Sequence, residues 1–149
     1  MSLARWLVDT SALSRLDRPE VVKTLIPYID AALAGVSIVT ELELGYSARS
    51  TADYRDTREA IVNRLIPVSI PHRAEARARE VQAALVERGQ HRSAGVADLL
   101  IAATAEMEGI TVLHYDADFD LIAEITGQTC EWVVPVSYTH LTLPTTPYV

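Results

Sequence analysis

The stretch Arg5-Trp6-Leu7-Val8-Asp9-Thr10-Ser11, close to the start of the chain, organises the predicted fold. Its apolar residues, Trp6 to Val8, are typical of a short buried strand, and Asp9 follows them at once. In open α/β folds, ligand sites form at the carboxyl ends of the strands. An Asp before a helix is more commonly an N-cap, so the role of Asp9 depends on the acids that later elements bring to the same edge.

Short apolar segments alternate with helical patterns through the rest of the chain. The predicted strands are, in chain order, 4–8, 36–39, 66–70, 110–113 and 131–134. The predicted helices are 11–16, 19–34, 41–46, a segment ending near 65, 71–88, 96–107 and 119–125. This alternation predicts an α/β fold whose central sheet is mostly parallel and is covered by helices on both faces.

Individual residues predict where two of these helices begin and end. Pro27 lies inside the helical pattern of residues 19–34 and is expected to kink or split it. Gly35 is expected to end that helix. Thr40 can cap the next helix, with Glu43 as its capping-box partner.

Composition limits the function classes. The 149 residues fall within the size range of one domain, and a hydrophobic content of 49% is enough for a sizeable core. The formal net charge is −7, whereas proteins that bind nucleic acid over a broad surface are normally basic. A nucleic-acid role must therefore rest on a local feature.

The chain carries no sign of an extracellular or membrane-bound protein. Cys130 is the single cysteine, so an internal disulfide is excluded, and we expect a cytoplasmic protein. No apolar run reaches membrane-spanning length, and no secretory signal is visible, so no membrane partner is expected. We predict one domain over residues 1–135 and, over the Thr- and Pro-rich residues 136–149, an appended tail without function.

Four acids from different elements are expected to meet at the carboxyl edge of the sheet. They are Asp9, Glu41, Asp98 and Asp116. Asp98 begins a helix that is apolar nearly all round, where a carboxylate is stable only when it is paired or bound to metal. Converging carboxylates repel one another unless a cation is present. Oxygen ligands without a Cys or His cluster favour Mg²⁺ or Mn²⁺ over Zn²⁺.

Each acid taken singly has an ordinary structural alternative. Asp98 can interact with its helix N-terminus, and Glu41 can be a solvated residue of the first helical turn. Asp116 and Asp118 can be turn formers. The matching positions of the four acids at one edge favour a shared site.

Four motifs carry a resemblance to a known family. In chain order they are Leu7-Val8-Asp9-Thr10-Ser11, Thr40-Glu41-Leu42-Glu43-Leu44-Gly45, Val96-Ala97-Asp98-Leu99-Leu100-Ile101-Ala102-Ala103 and His114-Tyr115-Asp116-Ala117-Asp118-Phe119. Their order and spacing over residues 4–134 resemble those of PIN-domain nucleases, and size and topology are most similar to the VapC toxins of bacterial toxin–antitoxin pairs. In that family the acid of the second motif stands four residues before the glycine, which selects Glu41 rather than Glu43. The family often has Thr at the position of His114.

The resemblance implies a PIN-like three-layer sandwich and a metal-dependent endoribonuclease with Mg²⁺ or Mn²⁺ as cofactor. The implied catalytic and metal-binding residues are Asp9, Glu41, Asp98 and Asp116. Asp9 and Asp98 would be the main ligands, and the others would complete the site directly or through water. Glu43 and Asp118 are secondary acid candidates. A metal held there would orient the scissile phosphate, activate a water and stabilise the leaving oxygen.

The residues expected to contact an RNA substrate, such as tRNA or rRNA, are Thr10, Ser11 and Arg92. Ser11 is equally a candidate helix cap, which would leave Asp9 free to face the metal. Further basic residues of the site's rim are expected at Arg73, Arg77, Arg79, Arg88 and His91. The alternative for the arginines of the long helix is an ordinary solvated face.

Similarity to VapC toxins also implies a partner. A VapB-like antitoxin would lay apolar residues of its C-terminal segment in a groove and direct a basic side chain toward the acids. A homodimer, and a heterotetramer or larger complex with the antitoxin, are likewise implied. Leu42, Leu44 and Tyr46 are candidates for these surfaces, with buried core as their other role.

Three other functions remain open. An α/β phosphotransferase would use Asp9 as its nucleophile, although dehalogenase-like phosphatases carry a second Asp where this chain has Ser11. A non-catalytic PIN-like binding module would have no use for four acids. A DNA-directed nuclease of the same fold would use the same residues.

Overall fold

The computed structural model describes residues 3–135, so the predicted tail at 136–149 lies outside the described residues. The strands are β1 (Trp6–Val8), β2 (Ala34–Val36), β3 (Ile66–Pro67), β4 (Thr111–His114) and β5 (Cys130–Trp132). The helices are α1 (Thr10–Leu13), α2 (Pro19–Asp30), α3 (Ile38–Tyr46), α4 (Thr51–Ala60), α5 (Arg73–Glu87), α6 (Val96–Glu108) and α7 (Asp118–Thr126), with a short 3-10 helix at Val62–Arg64.

All the strands are parallel, in the order β3-β2-β1-β4-β5. The first strand is central, because Trp6 pairs with Ala34 of β2 on one side and with Thr111 of β4 on the other. The chain therefore leaves β1 toward one side of the sheet and later continues on its other side. Such a reversal opens a crevice at the carboxyl ends of the strands, and Asp9 directly follows β1.

Helices cover both faces of the sheet, as the alternating sequence pattern predicted. Leu7 is fully buried in a cluster with Leu85 of α5 and Ile101 of α6. Its neighbour Val8 points to the opposite face and joins a second cluster with Leu25 of α2. Successive strand residues thus contribute to two separate cores, and the predicted α/β sandwich with a parallel central sheet is confirmed.

The second strand lies two residues earlier than predicted, because Gly35 belongs to the strand and does not end the preceding helix. A Cβ on Gly35 would lie 2.6 Å from Val68 Cγ2 and 3.0 Å from Ala4 Cβ, so only glycine fits at this position. The predicted cap at Thr40 is also wrong. Ser37 caps α3, with its Oγ accepting a hydrogen bond from the Val39 N–H at 3.2 Å.

Two smaller predictions were also tested. The helix that contains Pro27 runs without interruption from Pro19 to Asp30, so the predicted split is wrong. The strand predicted over residues 66–70 is only two residues long, Ile66–Pro67. Within residues 3–135, no helix is long and apolar enough to cross a membrane.

Gly35→Ala should destabilise the fold by about 1–3 kcal/mol, the usual cost of overpacking a close contact. The free energy of unfolding in urea measures it. The matched control is Gly45→Ala in α3, where the new Cβ meets only the exposed ring of Tyr54, at 3.1 Å. Alanine is favoured over glycine in a helix, so the control should stay within about 1 kcal/mol of wild type. Equal losses in both variants would contradict the packing argument.

Candidate metal centre

Asp9 is a buried carboxylate at the end of the central strand. Only 4% of the residue is exposed, and its Oδ2 accepts a hydrogen bond from the Ser11 N–H at 2.9 Å. Asp9 is therefore the N-cap of α1, so the alternative assignment of this cap to Ser11 is wrong. The backbone hydrogen bond engages Oδ2, and the side chain of Ser11 also hydrogen-bonds the Asp9 carboxylate.

Three further acids lie together at the same edge. Asp98, Asp116 and Asp118 each place one carboxylate oxygen within 4.8 Å of the other two. Asp98 lies in the first turn of α6, where its Oδ2 accepts from the Gly95 N–H at 3.2 Å. We refer to Asp98, Asp116 and Asp118 as the acidic triad.

The loop between β4 and α7 is held by three side chains that accept backbone N–H groups. Ser11 Oγ accepts from the Tyr115 N–H at 2.9 Å. His114 Nδ1 accepts from the Asp116 N–H at 3.1 Å. Asp116 Oδ1 accepts from the Asp118 N–H at 2.9 Å. These bonds fix the backbone on which two members of the acidic triad are carried.

His114 occupies the position at which related nucleases often have Thr. It is fully buried, and burial lowers the pKa of its imidazole to about 4, so the ring is neutral near pH 7. A neutral ring has one nitrogen free to accept a hydrogen bond, and Nδ1 does so from the Asp116 N–H. The hydroxyl of a Thr at this position can form the same kind of hydrogen bond with the backbone two residues on. His can therefore replace Thr here.

Burial and mutual repulsion raise the pKa of several of these carboxyl groups. Burial is the main cause for Asp98, whose pKa is raised to about 7, and the charges of Asp9, Asp116 and Asp118 add to it. Burial also raises the pKa of Asp9, with further contributions from Glu43 and Asp116. The pKa of Asp118 is raised by burial and by Asp116. Asp9 is thus electrostatically coupled to the acidic triad.

This donor set fits a hard divalent cation. The ligand atoms are carboxylate oxygens, and the charge of a cation would offset both the burial and the mutual repulsion that raise the pKa values. Oxygen-only sites suit Mg²⁺ or Mn²⁺, whereas Zn²⁺ prefers nitrogen and sulfur ligands. His114 does not belong to the donor set, because its Nδ1 is already engaged by the Asp116 N–H.

Helix α3 brings Glu43, and not Glu41, to these acids. The Glu41 carboxylate is engaged by Arg58 at 3.1 Å. Glu43 accepts a hydrogen bond from the hydroxyl of Thr10, next to Asp9. Positions two apart on a helix are separated by about 200° around its axis, so only one of the two acids can face the site. The spacing between acid and glycine that selected Glu41 does not show which side of the helix faces the site.

The predicted basic rim on the long helix α5 is largely engaged elsewhere. Arg77 pairs with Glu106 at 2.8 Å, and Arg88 pairs with Glu124 at 2.8 Å. Arg79 lies 3.7 Å from Glu75 on the same helix. These three arginines are engaged by neighbouring glutamates, which was part of neither the predicted rim nor its alternative, an ordinary solvated face. Arg92 is exposed in the loop before α6.

Comparisons with known proteins identify the family of the chain. The model of the PIN domain family matches residues 6–125. Ribonuclease VapC51 of Mycobacterium tuberculosis is 43% identical over 132 residues, which cover 88% of this chain and 94% of that protein. Ribonuclease VapC21 of the same species is 45% identical over 130 residues, covering 87% and 94% of the two chains.

Solved structures share the fold. A chain of the crystal structure of DNA-bound VapBC from Salmonella typhimurium superimposes with a TM-score of 0.71 at 21% identity, covering 88% of this chain and 99% of that one. A chain of VapBC-5 from Mycobacterium tuberculosis gives a TM-score of 0.61 at 21% identity over the same shares. The predicted resemblance in fold is therefore confirmed.

The raised pKa of Asp98 predicts a pH-dependent cost to stability in the absence of metal. A carboxyl group whose pKa is higher in the folded than in the unfolded protein favours folding below its unfolded pKa and loses that contribution as the pH rises through about 7. Asp98→Asn should therefore raise Tm in EDTA at about pH 8. At about pH 4 it should change Tm little, because the carboxyl group of Asp98 in the folded protein is protonated there and as neutral as the amide of Asn.

We expect an increase of about 3 °C, which corresponds to about 1 kcal/mol in a chain of this size. This figure allows for the partial solvation of the carboxylate. Differential scanning calorimetry at the two pH values measures the shift, and added Mg²⁺ should stabilise wild type more than the variant. A lower Tm for Asp98→Asn at the higher pH would show that repulsion among the acids does not destabilise the site.

Proposed function

Because this chain belongs to the PIN-domain family, as its VapC relatives do, we propose that it is a metal-dependent endoribonuclease and the toxin of a type II toxin–antitoxin pair, acting in the cytoplasm. The observation that carries this proposal is the convergence of Asp9 with the acidic triad at the carboxyl edge of the sheet. The named activity of relatives at 43% and 45% identity supports it.

The proposed cofactor is Mg²⁺ or Mn²⁺. Asp98, Asp116 and Asp118 would hold the cation, with Asp9 binding directly or through a water. When bound, the cation supplies Lewis acidity that orients the scissile phosphate, activates a water and stabilises the leaving oxygen. The backbone N–H groups that fix one oxygen of Asp9, Asp98 and Asp116 keep these carboxylates in place before RNA arrives.

Glu43 is the second-motif acid in this proposal. Thr10 donates a hydrogen bond to Glu43 Oε1, which orients the carboxylate beside Asp9 and leaves Oε2 available. Glu43 also lines a surface groove, together with Thr10. We assign Glu43 to holding the water that attacks the phosphate, and Thr10 to positioning Glu43.

The same groove is the proposed docking site of the antitoxin. It has a volume of about 490 Å³ and is lined by Thr10, Val39, Leu42, Glu43, Tyr46 and Ser47. Leu42 is 66% exposed and Tyr46 is 93% exposed, whereas Leu44 packs into the core. The groove suits apolar side chains of a partner segment, and Glu43 at its inner end would attract a basic residue. Solved VapBC complexes with the same fold support an antitoxin partner.

Substitution of the acids should separate catalysis from folding. Asp9→Asn and Asp98→Asn should each lower RNA cleavage by about 100-fold or more. Loss of even an outer-shell partner of a metal typically costs about 10–100-fold. Cleavage of total cellular RNA in Mg²⁺, with unfolding monitored by circular dichroism, tests this. Full activity of either folded variant, or activity that survives EDTA, would refute the metal-nuclease proposal.

A matched pair on α3 tests which glutamate acts. Glu43→Gln should reduce kcat by about 10-fold or more, the lower end for a positioned acid–base group or metal partner. Glu41→Gln should leave kcat close to wild type, because its carboxylate binds Arg58 instead of the site. The reverse ranking would restore Glu41 as the second acid.

The groove can be tested through the partner. Tyr46→Ser should weaken binding of the co-expressed antitoxin by about 1–2 kcal/mol or more, as expected for an interface aromatic residue. RNA cleavage by the isolated variant should be unchanged. The control is Val86→Ser, which alters an exposed apolar residue of α5 outside the groove. Unchanged antitoxin affinity in Tyr46→Ser would place the partner elsewhere.

A further inference from the structure

Two arginines and a tyrosine form a compact cluster next to the acids. The guanidinium carbon of Arg15 lies 4.4 Å from the ring centroid of Tyr115, and that of Arg18 lies 5.2 Å from it. Arg18 NH1 also donates to the Tyr115 hydroxyl at 2.8 Å, and Arg15 NH1 donates to the Ser11 carbonyl at 2.7 Å. We call Arg15, Arg18 and Tyr115 the arginine cluster.

The two guanidinium groups of this cluster are not neutralised by carboxylates. Within residues 3–135, neither Arg15 nor Arg18 forms an ion pair, in contrast to the paired arginines of α5. Arg15 Nε is buried without a hydrogen-bond partner in the same part of the chain. A guanidinium carries five N–H donors. Each side chain therefore retains donors beyond those that Arg15 uses on the Ser11 carbonyl and Arg18 uses on the Tyr115 hydroxyl.

The arginine cluster is connected directly to the metal centre. Tyr115 immediately precedes Asp116, and its N–H is bound by Ser11 Oγ. The Ser11 N–H in turn donates to Asp9 Oδ2. Tyr115 and Ser11, which hold the two arginine side chains, are thus the chain neighbour of Asp116 and the N–H donor to Asp9. Although the chain has a net charge of −7, two guanidinium groups without an ion pair in the described residues lie together on one ring here.

We propose that Arg15 and Arg18 bind a backbone phosphate of the RNA strand that flanks the scissile phosphate. This inference rests on the proposed nuclease function and adds the substrate contact to it. Guanidinium groups bind phosphate oxygens through paired N–H donors, and stacking on Tyr115 holds both groups in place before the strand arrives. Contacts of this kind set affinity and register, and they do not read the base sequence.

The test is RNA binding by the metal-free protein, measured with a fluorescent single-stranded RNA of mixed sequence at several salt concentrations in EDTA. For Arg18→Gln we expect weaker binding and a decrease of about 0.7 in the slope of log K against log salt, the value for one lost phosphate contact on a single strand. Arg18→Lys keeps the charge and loses the fork of donors, so it should retain the wild-type slope with reduced affinity.

The matched control is Arg64→Gln. Arg64 is also partly exposed, but it pairs with Asp30 and stands just before β3, at the amino edge of the sheet. This control should bind RNA with wild-type affinity and slope. Arg15→Gln should act like Arg18→Gln, and because Arg15 also holds the Ser11 carbonyl, its Tm is measured alongside.

The outcomes separate the two proposals. If wild type binds and cleaves RNA while Arg18→Gln matches Arg64→Gln in affinity and slope, the phosphate contact is wrong and the nuclease function stands. If Arg18→Gln weakens binding of the antitoxin and leaves RNA binding unchanged, the arginine cluster is a protein-docking surface and the inference is overturned. If wild type neither binds nor cleaves RNA, both proposals fail.

Discussion

The structure is arranged around carboxylates that the fold buries and brings together at the carboxyl edge of its sheet. Asp9 is placed there by the central strand, and Asp98 by the first turn of a buried helix. Burial and neighbouring charge raise the pKa of both groups, so the charged forms are unfavourable without a cation. Two packed cores on opposite faces of the sheet supply the stability that tolerates this arrangement.

The same local hydrogen bond, from a backbone N–H to a carboxylate, occurs at three of the acids. Asp9, Asp98 and Asp116 each use one carboxylate oxygen to accept a backbone N–H, from Ser11, Gly95 and Asp118 respectively. These hydrogen bonds fix the rotamer and leave the second oxygen for a ligand. Helix capping and metal binding are therefore compatible roles of the same side chain. The N-cap interpretation of Asp9 and its assignment to the metal centre do not compete.

The sequence allowed prediction of the sheet, the helices and most of the acids, because strand ends and buried helix starts carry visible signals. It misplaced the acid on α3, since the choice between Glu41 and Glu43 depends on a helix phase that begins at Ser37. The boundary before that helix was also misplaced, because Gly35 lies in a strand where Val68 and Ala4 crowd it, and such tertiary contacts are not visible in a local pattern. The ion pairs that engage the arginines of α5 are equally non-local, as Arg77 and Glu106 show.

The charge distribution explains how an acidic chain can act on a polyanion. Within residues 3–135, five of the twelve arginines are held in ion pairs, such as that of Arg88 with Glu124, so these groups add little net attraction at long range. A net charge of −7 opposes the approach of RNA. Binding by the proposed nuclease must then come from short-range contacts: a cation among the acids, and guanidinium groups close to those acids that lack carboxylate partners. Arg15 and Arg18 meet this requirement because Tyr115 holds them beside Asp116. In the proposed nuclease the cation site and the arginines lie at the same edge of the sheet, so their contacts with RNA are confined to that catalytic edge.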